Sequence, residues 1–292
     1  GPTAIGKTSL SIQLAKHFST EILSADSRQF YKEMNIGTAV PTDDELEQAK
    51  HHFIQHISIT EDYNVGQFEE DAVIAIENIF KLNSKAILVG GSGLYQKAVT
   101  EGLDSFPDVP PEIREKYNAI LKNDGIKRLQ NLLKEKDPES YNSIEILNPR
   151  RVTRALEVIE VSGKSFMSFQ NQSKNPRPFK STKIGLDAPR DVIYKRIEQR
   201  VELMIEQGLI QEAETLYPLK HLNALQTVGY KEMFTYFEGQ TSLAEAISEI
   251  KKNTRRFAKR QLTWFKKDPD ITWFHYETPI ENILNTIITK KD

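Results

Sequence analysis

The chain has 292 residues, 38% hydrophobic and 27% charged, with a formal net charge of -2 and no cysteine. That length suits one large domain or a core carrying an insertion. The near-zero charge means that any nucleic-acid contact must be a local patch, and the missing cysteines exclude disulfides, zinc–thiolate sites and cysteine nucleophiles.

The first eight residues, "GPTAIGKT", match the GxxxxGK[ST] phosphate-binding loop. Its glycines let successive backbone N–H groups turn toward an anion, and the following helix adds partial positive charge at its N-terminus. Lys7 would reach terminal phosphate oxygens and Thr8 would ligate Mg²⁺. Such a loop ordinarily follows a buried strand. Since the sequence as given starts on the loop, its N-terminus is expected to be clipped. Residues 7–18 read as a helix with Leu10, Leu14 and Phe18 on one face. "EILSA" (21–25) reads as a buried parallel strand that delivers Asp26, Ser27, Arg28 and Gln29 to its C-terminal end. "HHFIQH" alternates as a strand does; His52 and His56 lack an acidic ligand that would complete a metal site. Residues 66–82 read as an amphipathic helix, and "KAILVGG" (85–91) as a second buried strand closed by a Gly-Gly-Ser-Gly turn.

Strand, loop and helix in repetition predict an α/β parallel sheet, with ligands at the carboxyl ends of its strands. The Asp26 turn and the Gly90–Gly93 turn should then face the crevice of the phosphate loop. From 108 to 178 no strand is apparent. Helices there are punctuated at Asp-Gly, Asp-Pro and Asn-Pro, and "NQSKNPRPFKS" (171–181) reads as a loop. Strand character returns at 182–187 and once more at 271–275, within an otherwise helical remainder. The predicted organisation is an α/β core of 1–107 and 180–292, with a helical insertion over 108–179. No apolar run reaches membrane-spanning length and no signal peptide is visible. A cytoplasmic protein without a membrane partner is expected.

Three further clusters carry chemistry. Asp26, at a strand end near the phosphate loop, suits a metal ligand or a base, or else a helix cap. Arg190, Arg196 and Arg200 lie along "DAPRDVIYKRIEQR" (187–200). They could neutralise phosphate, or simply pair with Glu198 and Glu202 on the surface. "KKNTRRFAKRQLTWFKK" (251–267) holds eight basic residues and no acidic one. On a helix it would gather Arg256, Lys259, Arg260, Thr263 and Lys267 on one side, either as a polyanion site with stacking aromatics or as a solvated face. With Arg150, Arg151 and Arg154 in "NPRRVTRALEV" (148–158), two separated basic patches suit an extended polyanion better than a nucleotide.

"GPTAIGKT", "SADSRQFYKEMNIGTA", "HHFI", "LVGGSGLY", "RRVTRALEV", "GLIQEAETL", "TVGYKE" and "TRRFAKRQLTWF" together resemble the bacterial tRNA dimethylallyltransferases, in order, from residue 1 to about 266. The resemblance implies a P-loop kinase-like parallel-sheet core with a helical insertion, and a tRNA channel between them. It implies that Gly1, Pro2, Thr3, Ala4, Ile5, Gly6, Lys7 and Thr8 bind the pyrophosphate of dimethylallyl diphosphate, with Mg²⁺ on Thr8. It also implies attack on that donor by N6 of the adenine 3′-adjacent to the anticodon. Asp26, Thr3, Lys7 and Arg200 would be catalytic. The anticodon stem-loop would meet Asp26, Ser27, Arg28, Gln29, Ser92, Arg150, Arg151, Val152, Thr153, Arg154, Thr227, Val228, Gly229, Tyr230, Lys231 and Glu232. Arg256, Lys259 and Arg260 would join them on the tRNA backbone. A monomer is expected. Two positions depart from the family pattern: Val40, where the family usually has Lys, and Gln55, where it usually has Asp. Ser92 replaces the usual threonine and keeps its hydroxyl. The competing readings are a small-molecule P-loop kinase, a prenyltransferase of free adenine nucleotides, and a P-loop RNA-binding switch.

Overall fold

The computed structural model describes residues 1–170 and 176–289. The chain divides into two units, residues 1–100 with 178–292, and residues 101–177.

In the larger unit, the phosphate loop runs into α1 (Lys7–Phe18), and Gly6 at its N-cap has φ 105°. A side chain there would be strained, which accounts for glycine. The helix fills the expected residues, yet buries Ser11, Ile12, Leu14 and Ala15, with Leu10 and Phe18 only half-buried. The reason is that Ile12 and Ala15 pack on Ile22, Ile87 and Val89 of the adjacent sheet. That sheet is parallel, in the order β2-β1-β3, with β1 (Ile22–Ser24) central, β2 (His51–His52) and β3 (Ile87–Val89) flanking. Ile22 sits opposite both His51 and Ile87. Every β1 side chain is buried, as an apolar run without alternation requires. The "HHFIQH" strand is therefore shorter than its alternation suggests. It ends where Phe53 and Gln55 take positive φ, 62° and 47°.

Helix α2 (Asp43–Gln48) and α3 (Val65–Phe80) both start on capping boxes, Thr42 with Glu45 and Asn64 with Gln67. Helix α4 (Gly93–Glu101) follows β3. After the second unit come β4 (Ile184–Asp187), α9 (Arg190–Glu206), α10 (Leu209–Leu216), α11 (Tyr230–Phe237), α12 (Leu243–Phe265), β5 (Thr272–His275) and α13 (Ile280–Thr289). Strands β4 and β5 pair in parallel, Leu186 opposite Phe274. Helix α12 is longer than the basic stretch, which forms its second half, and it stops before Lys267. No helix among the described residues is long and apolar enough to cross a membrane.

The smaller unit holds α5 (Pro111–Asp124), α6 (Ile126–Lys136), α7 (Pro138–Ser143) and α8 (Pro149–Ser162). Its joints are the dipeptides legible in the sequence. Gly125 separates α5 from α6, Asp137 caps α7 with Pro138 in its first turn, and Asn148 caps α8 with Pro149 likewise. Tyr117, Leu129, Leu133, Val152 and Leu156 form its own core. The unit begins earlier than 108 because Phe106 stacks on Phe166, ring centroids 5.1 Å apart. Of the expected loop 171–181, residues 171–175 lie outside the described residues, and 176–181 form no helix or strand.

Candidate active site

The loop is held from below. Ala4 and Ile5 are buried with Leu186, Ile193, Ile197 and Ala258, so those two residues offer an anion only their backbones. Ala4 has φ 61°, a conformation non-glycine residues keep only where packing imposes it. Lys7 Nζ donates to Pro2 O at 2.6 Å. Burial pulls Lys7 down to about 8, against the pull of Asp26. The hydroxyl of Thr8 makes no hydrogen bond among the described residues, while its backbone O accepts from Ser11 Oγ at 2.8 Å. A free hard oxygen beside phosphate-binding amides fits Mg²⁺, which takes few protein ligands and shares phosphate oxygens.

Two arginines one turn apart on α9 clamp this loop. Arg196 donates to Ile5 O at 3.2 Å and lies over the Tyr276 ring at 4.6 Å. Arg200 donates to Thr3 Oγ1 at 3.1 Å. Their alternative partners are taken elsewhere, Glu198 pairing with Arg255 and Glu202 with Lys251. Burial lowers the Arg200 pKa, opposed by Asp26, which keeps a desolvated cation beside the loop. Arg190 is exposed at the helix start.

Asp26 leaves the C-terminal end of β1. Arg28 N donates to its Oδ1 at 3.3 Å and Gln29 N to its backbone O at 2.9 Å. It thus closes a turn rather than capping a helix. Burial raises its pKa, while Lys7, Arg28 and Arg200 pull it down. A carboxyl that burial and nearby cations push in opposite directions is the usual make-up of an acid–base group. The Gly90–Gly93 turn does come to this crevice: Ser27 N donates to Ser92 Oγ at 3.2 Å, and Ser92 N to Ala25 O at 3.3 Å.

Gln261, buried to 5% exposure, is the residue that composition and spacing passed over. Its Oε1 accepts Thr3 N–H at 2.8 Å and its Nε2 donates to Gly91 O at 3.0 Å. A Cβ at Gly91 would stand 2.2 Å from that nitrogen, which accounts for the glycine. The available signal was its place in "AKRQLTWF", a polar residue among positions with helical periodicity on the inner face. The outer face of the same helix carries Arg256, Lys259 and Arg260, all exposed, with Phe257 and Trp264 39% and 44% exposed. None of those three cations meets a carboxylate among the described residues. Arg256 donates to Asn253 Oδ1 and Arg260 lies over Phe257.

Three of the residues for which the resemblance implies tRNA contact have buried side chains. Val152 and Thr153 are turned into the core of the smaller unit, and Tyr230 is 0% exposed, its hydroxyl donating to Glu212 at 2.6 Å. Burial and Glu212 together raise its pKa. Arg150 and Arg151 are exposed, and Arg154 pairs with Glu157 at 3.4 Å. Arg28 holds Asn223 O and Ala224 O at 3.1 and 2.8 Å. Thr227 and Val228 are half-buried and Lys231 is exposed. Glu232 turns inward to accept from Gly229 N and Asn253 Nδ2, both at 2.8 Å. His52 meets Glu21 at 2.5 Å, and no cluster able to hold a metal through three His, Asp or Glu side chains occurs among the described residues.

A parallel sheet, a phosphate loop, two arginines clamping it and a strand-end carboxyl define a P-loop, kinase-like transferase core. Residues 29–268 match the family model for the IPP transferases, and the chain belongs to that family. It is 60% identical to the tRNA dimethylallyltransferase of Christiangramia forsetii over 99% of this chain and 96% of that one. With the tRNA dimethylallyltransferase of Flavobacterium johnsoniae it shares 54%, over 99% and 95%. The solved tRNA isopentenylpyrophosphate transferase of Bacillus halodurans superposes with a TM-score of 0.74 at 38% identity, covering 99% of this chain and 94% of that one. A eukaryotic dimethylallyltransferase acting on tRNA superposes with 0.85 at 27% identity, covering 100% and 79%.

Proposed function

We propose that this chain transfers the dimethylallyl group of dimethylallyl diphosphate to N6 of the adenine 3′-adjacent to the anticodon of tRNA. The observation that carries the reading is Asp26. It is a carboxyl with a raised pKa within the field of Lys7 and Arg200, at the mouth of a phosphate loop. In the reaction an N6–C1 bond forms and the C1–O bond breaks. The electron pair leaves with pyrophosphate and the N6 proton goes to Asp26. An exocyclic amine is a poor nucleophile, so a positioned base contributes. The departing charge is met by the loop amides, Lys7 and Arg200. Mg²⁺, held by Thr8 and diphosphate oxygens, would supply further charge neutralisation on the leaving group. Thr3, fixed by Arg200 and Gln261, keeps the loop in one shape.

The outer face of α12 and the exposed Arg150 and Arg151 of the smaller unit give the tRNA backbone cations to meet. The target base must leave its stack to reach a half-buried carboxyl at the end of a strand. The protein acts as a monomer in the cytoplasm. A kinase accounts for the loop and its arginines, but leaves the basic and aromatic face of α12 without a role. The test is purified protein with an anticodon stem-loop, labelled dimethylallyl diphosphate and Mg²⁺, with ATP omitted. Label should pass to the RNA. An absolute requirement for ATP, or phosphate transfer without prenyl transfer, would overturn the reading.

A further inference from the structure

Glu212 lies on α10, half-buried, away from the phosphate loop's own fixings. Its carboxylate accepts three consecutive backbone N–H groups: Asn35 at 3.0 Å and Ile36 at 2.8 Å on Oε2, and Gly37 at 2.9 Å on Oε1. A fourth donor, the buried Tyr230 hydroxyl, reaches Oε1 at 2.6 Å. One carboxylate thus organises the tight turn at 35–38 and the start of α11 together. Hydrogen bonds to an ionised acceptor are the stronger kind, and successive amides aimed at one point make an anion-holding concavity. Here the anion comes from the protein.

The turn so held has its own cargo. The carbonyls of Thr38 and Ala39 accept the Gln29 side-chain amide at 3.2 and 2.8 Å. The other end of that amide accepts from Ser24 Oγ at 3.3 Å. Gln29 N also closes the Asp26 turn. The line of contacts therefore runs from Glu212 through the 35–39 backbone to Gln29, and from Glu212 through Tyr230 to the 227–232 segment. One end lies on the Asp26 turn, where the proposed reaction brings the adenine, and both ends are stretches for which the resemblance to the tRNA dimethylallyltransferases implies tRNA contacts. The diphosphate side is fixed separately, by Arg196, Arg200 and Gln261.

We infer that Glu212 is a positioning residue for the tRNA substrate: it sets Gln29 and the 227–232 segment in one fixed arrangement, and does so without touching the donor. The inference rests on the proposed function. Its effect is specific. Loosening Glu212 should weaken tRNA recognition and spare recognition of the diphosphate.

The experiment compares Glu212→Gln, Tyr230→Phe and Gln29→Ala with the parent. It measures KM for tRNA and for dimethylallyl diphosphate, direct binding of an anticodon stem-loop, and melting temperature. Glu212→Gln places an amide nitrogen against backbone donors. It should raise the tRNA KM and the stem-loop Kd about tenfold, while the donor KM stays within twofold. Tyr230→Phe removes one of the four bonds and should give a smaller change in the same direction. The double variant Glu212→Gln with Gln29→Ala should be no worse than the more affected single variant, since both break one line of contacts. A purely structural role would lower the melting temperature and the active fraction but leave both KM values alone, and that result overturns the inference. If Glu212→Gln fails to fold, Tyr230→Phe and Gln29→Ala decide: unaltered stem-loop binding in both overturns it. Failure of the parent to prenylate RNA would instead strike the proposed function, and stem-loop binding would still be measurable.

Discussion

Lys7 is half-buried and desolvated at a cost that the function needs and the fold does not. Its pKa falls from the ordinary 10.5 to about 8, chiefly because burial removes water from the ammonium. Each pH unit is worth about 1.4 kcal/mol, so keeping Lys7 charged near pH 7 costs the folded state about 3 kcal/mol. Replacing it by the similarly long Met removes that cost. The replacement also loses the bond to Pro2 O, worth about 1 kcal/mol. Lys7→Met should therefore stabilise the ligand-free protein by roughly 2 kcal/mol, or about 4 °C for a chain of this size, while abolishing turnover. The sign with pH follows from a base whose folded pKa is depressed. The penalty is complete below about pH 8 and fades toward the unfolded value near 10.4, so by pH 9.5 only about 1.3 kcal/mol of it remains and the gap between variant and parent should shrink to a few tenths of a kcal/mol. Adding pyrophosphate with Mg²⁺ should reverse the order, because only the parent binds it well and binding adds to stability. Thermal melts at pH 7 and 9.5, with and without pyrophosphate, provide the readout. A variant that melts below the parent at pH 7 would refute the reasoning, as would a gap that does not narrow with pH.

Asp26→Asn keeps the shape and removes the base. In single-turnover assays its chemical step should slow by about 10²–10⁴-fold, and the parent's kcat/KM should rise as Asp26 deprotonates and fall as Lys7 loses its proton above about 8; an unchanged rate assigns Asp26 to the turn alone. Gln261→Met keeps the volume and removes both hydrogen bonds, so pyrophosphate inhibition should weaken about tenfold, the worth of roughly one such bond, with stem-loop binding unchanged; equal losses on both sides would show a general packing defect. Arg260→Ala should lower tRNA affinity and flatten the slope of log K against log salt by somewhat under one unit, while an unaltered slope would make that face of α12 merely solvated.

Local signals carried most of the fold. Gly6 before Lys7, the dipeptides Asp124-Gly125, Asp137-Pro138 and Asn148-Pro149, and the apolar runs at 22–24 and 87–89 each act within a few residues, so they show in the sequence. Alternation over 51–56 overstates the strand at 51–52, because Phe53 and Gln55 take left-handed backbone that alternation does not reveal. At the site, Lys7, Asp26 and Arg200 announce themselves by residue type beside a phosphate loop. Gln261 and Glu212 do not, because their value lies in contacts to Thr3 and to residues 35–37, far away in sequence. Burial likewise separates Val152 and Tyr230 from their neighbours in motifs that look uniform when written out.

Three glycines share one trait. A Cβ at Gly37 would lie 2.6 Å from the Tyr230 ring, one at Gly91 2.2 Å from Gln261, and one at Gly93 2.1 Å from the Trp264 indole. Each glycine is the empty half of a large side chain brought in from the C-terminal part of the chain. In evolutionary terms the pairs are single characters. A methyl group at any of the three glycines collides, and a smaller side chain at the buried Tyr230 or Gln261 leaves a hole that close packing penalises. Variation at 37, 91 or 93 among relatives should therefore arrive together with change at 230, 261 or 264.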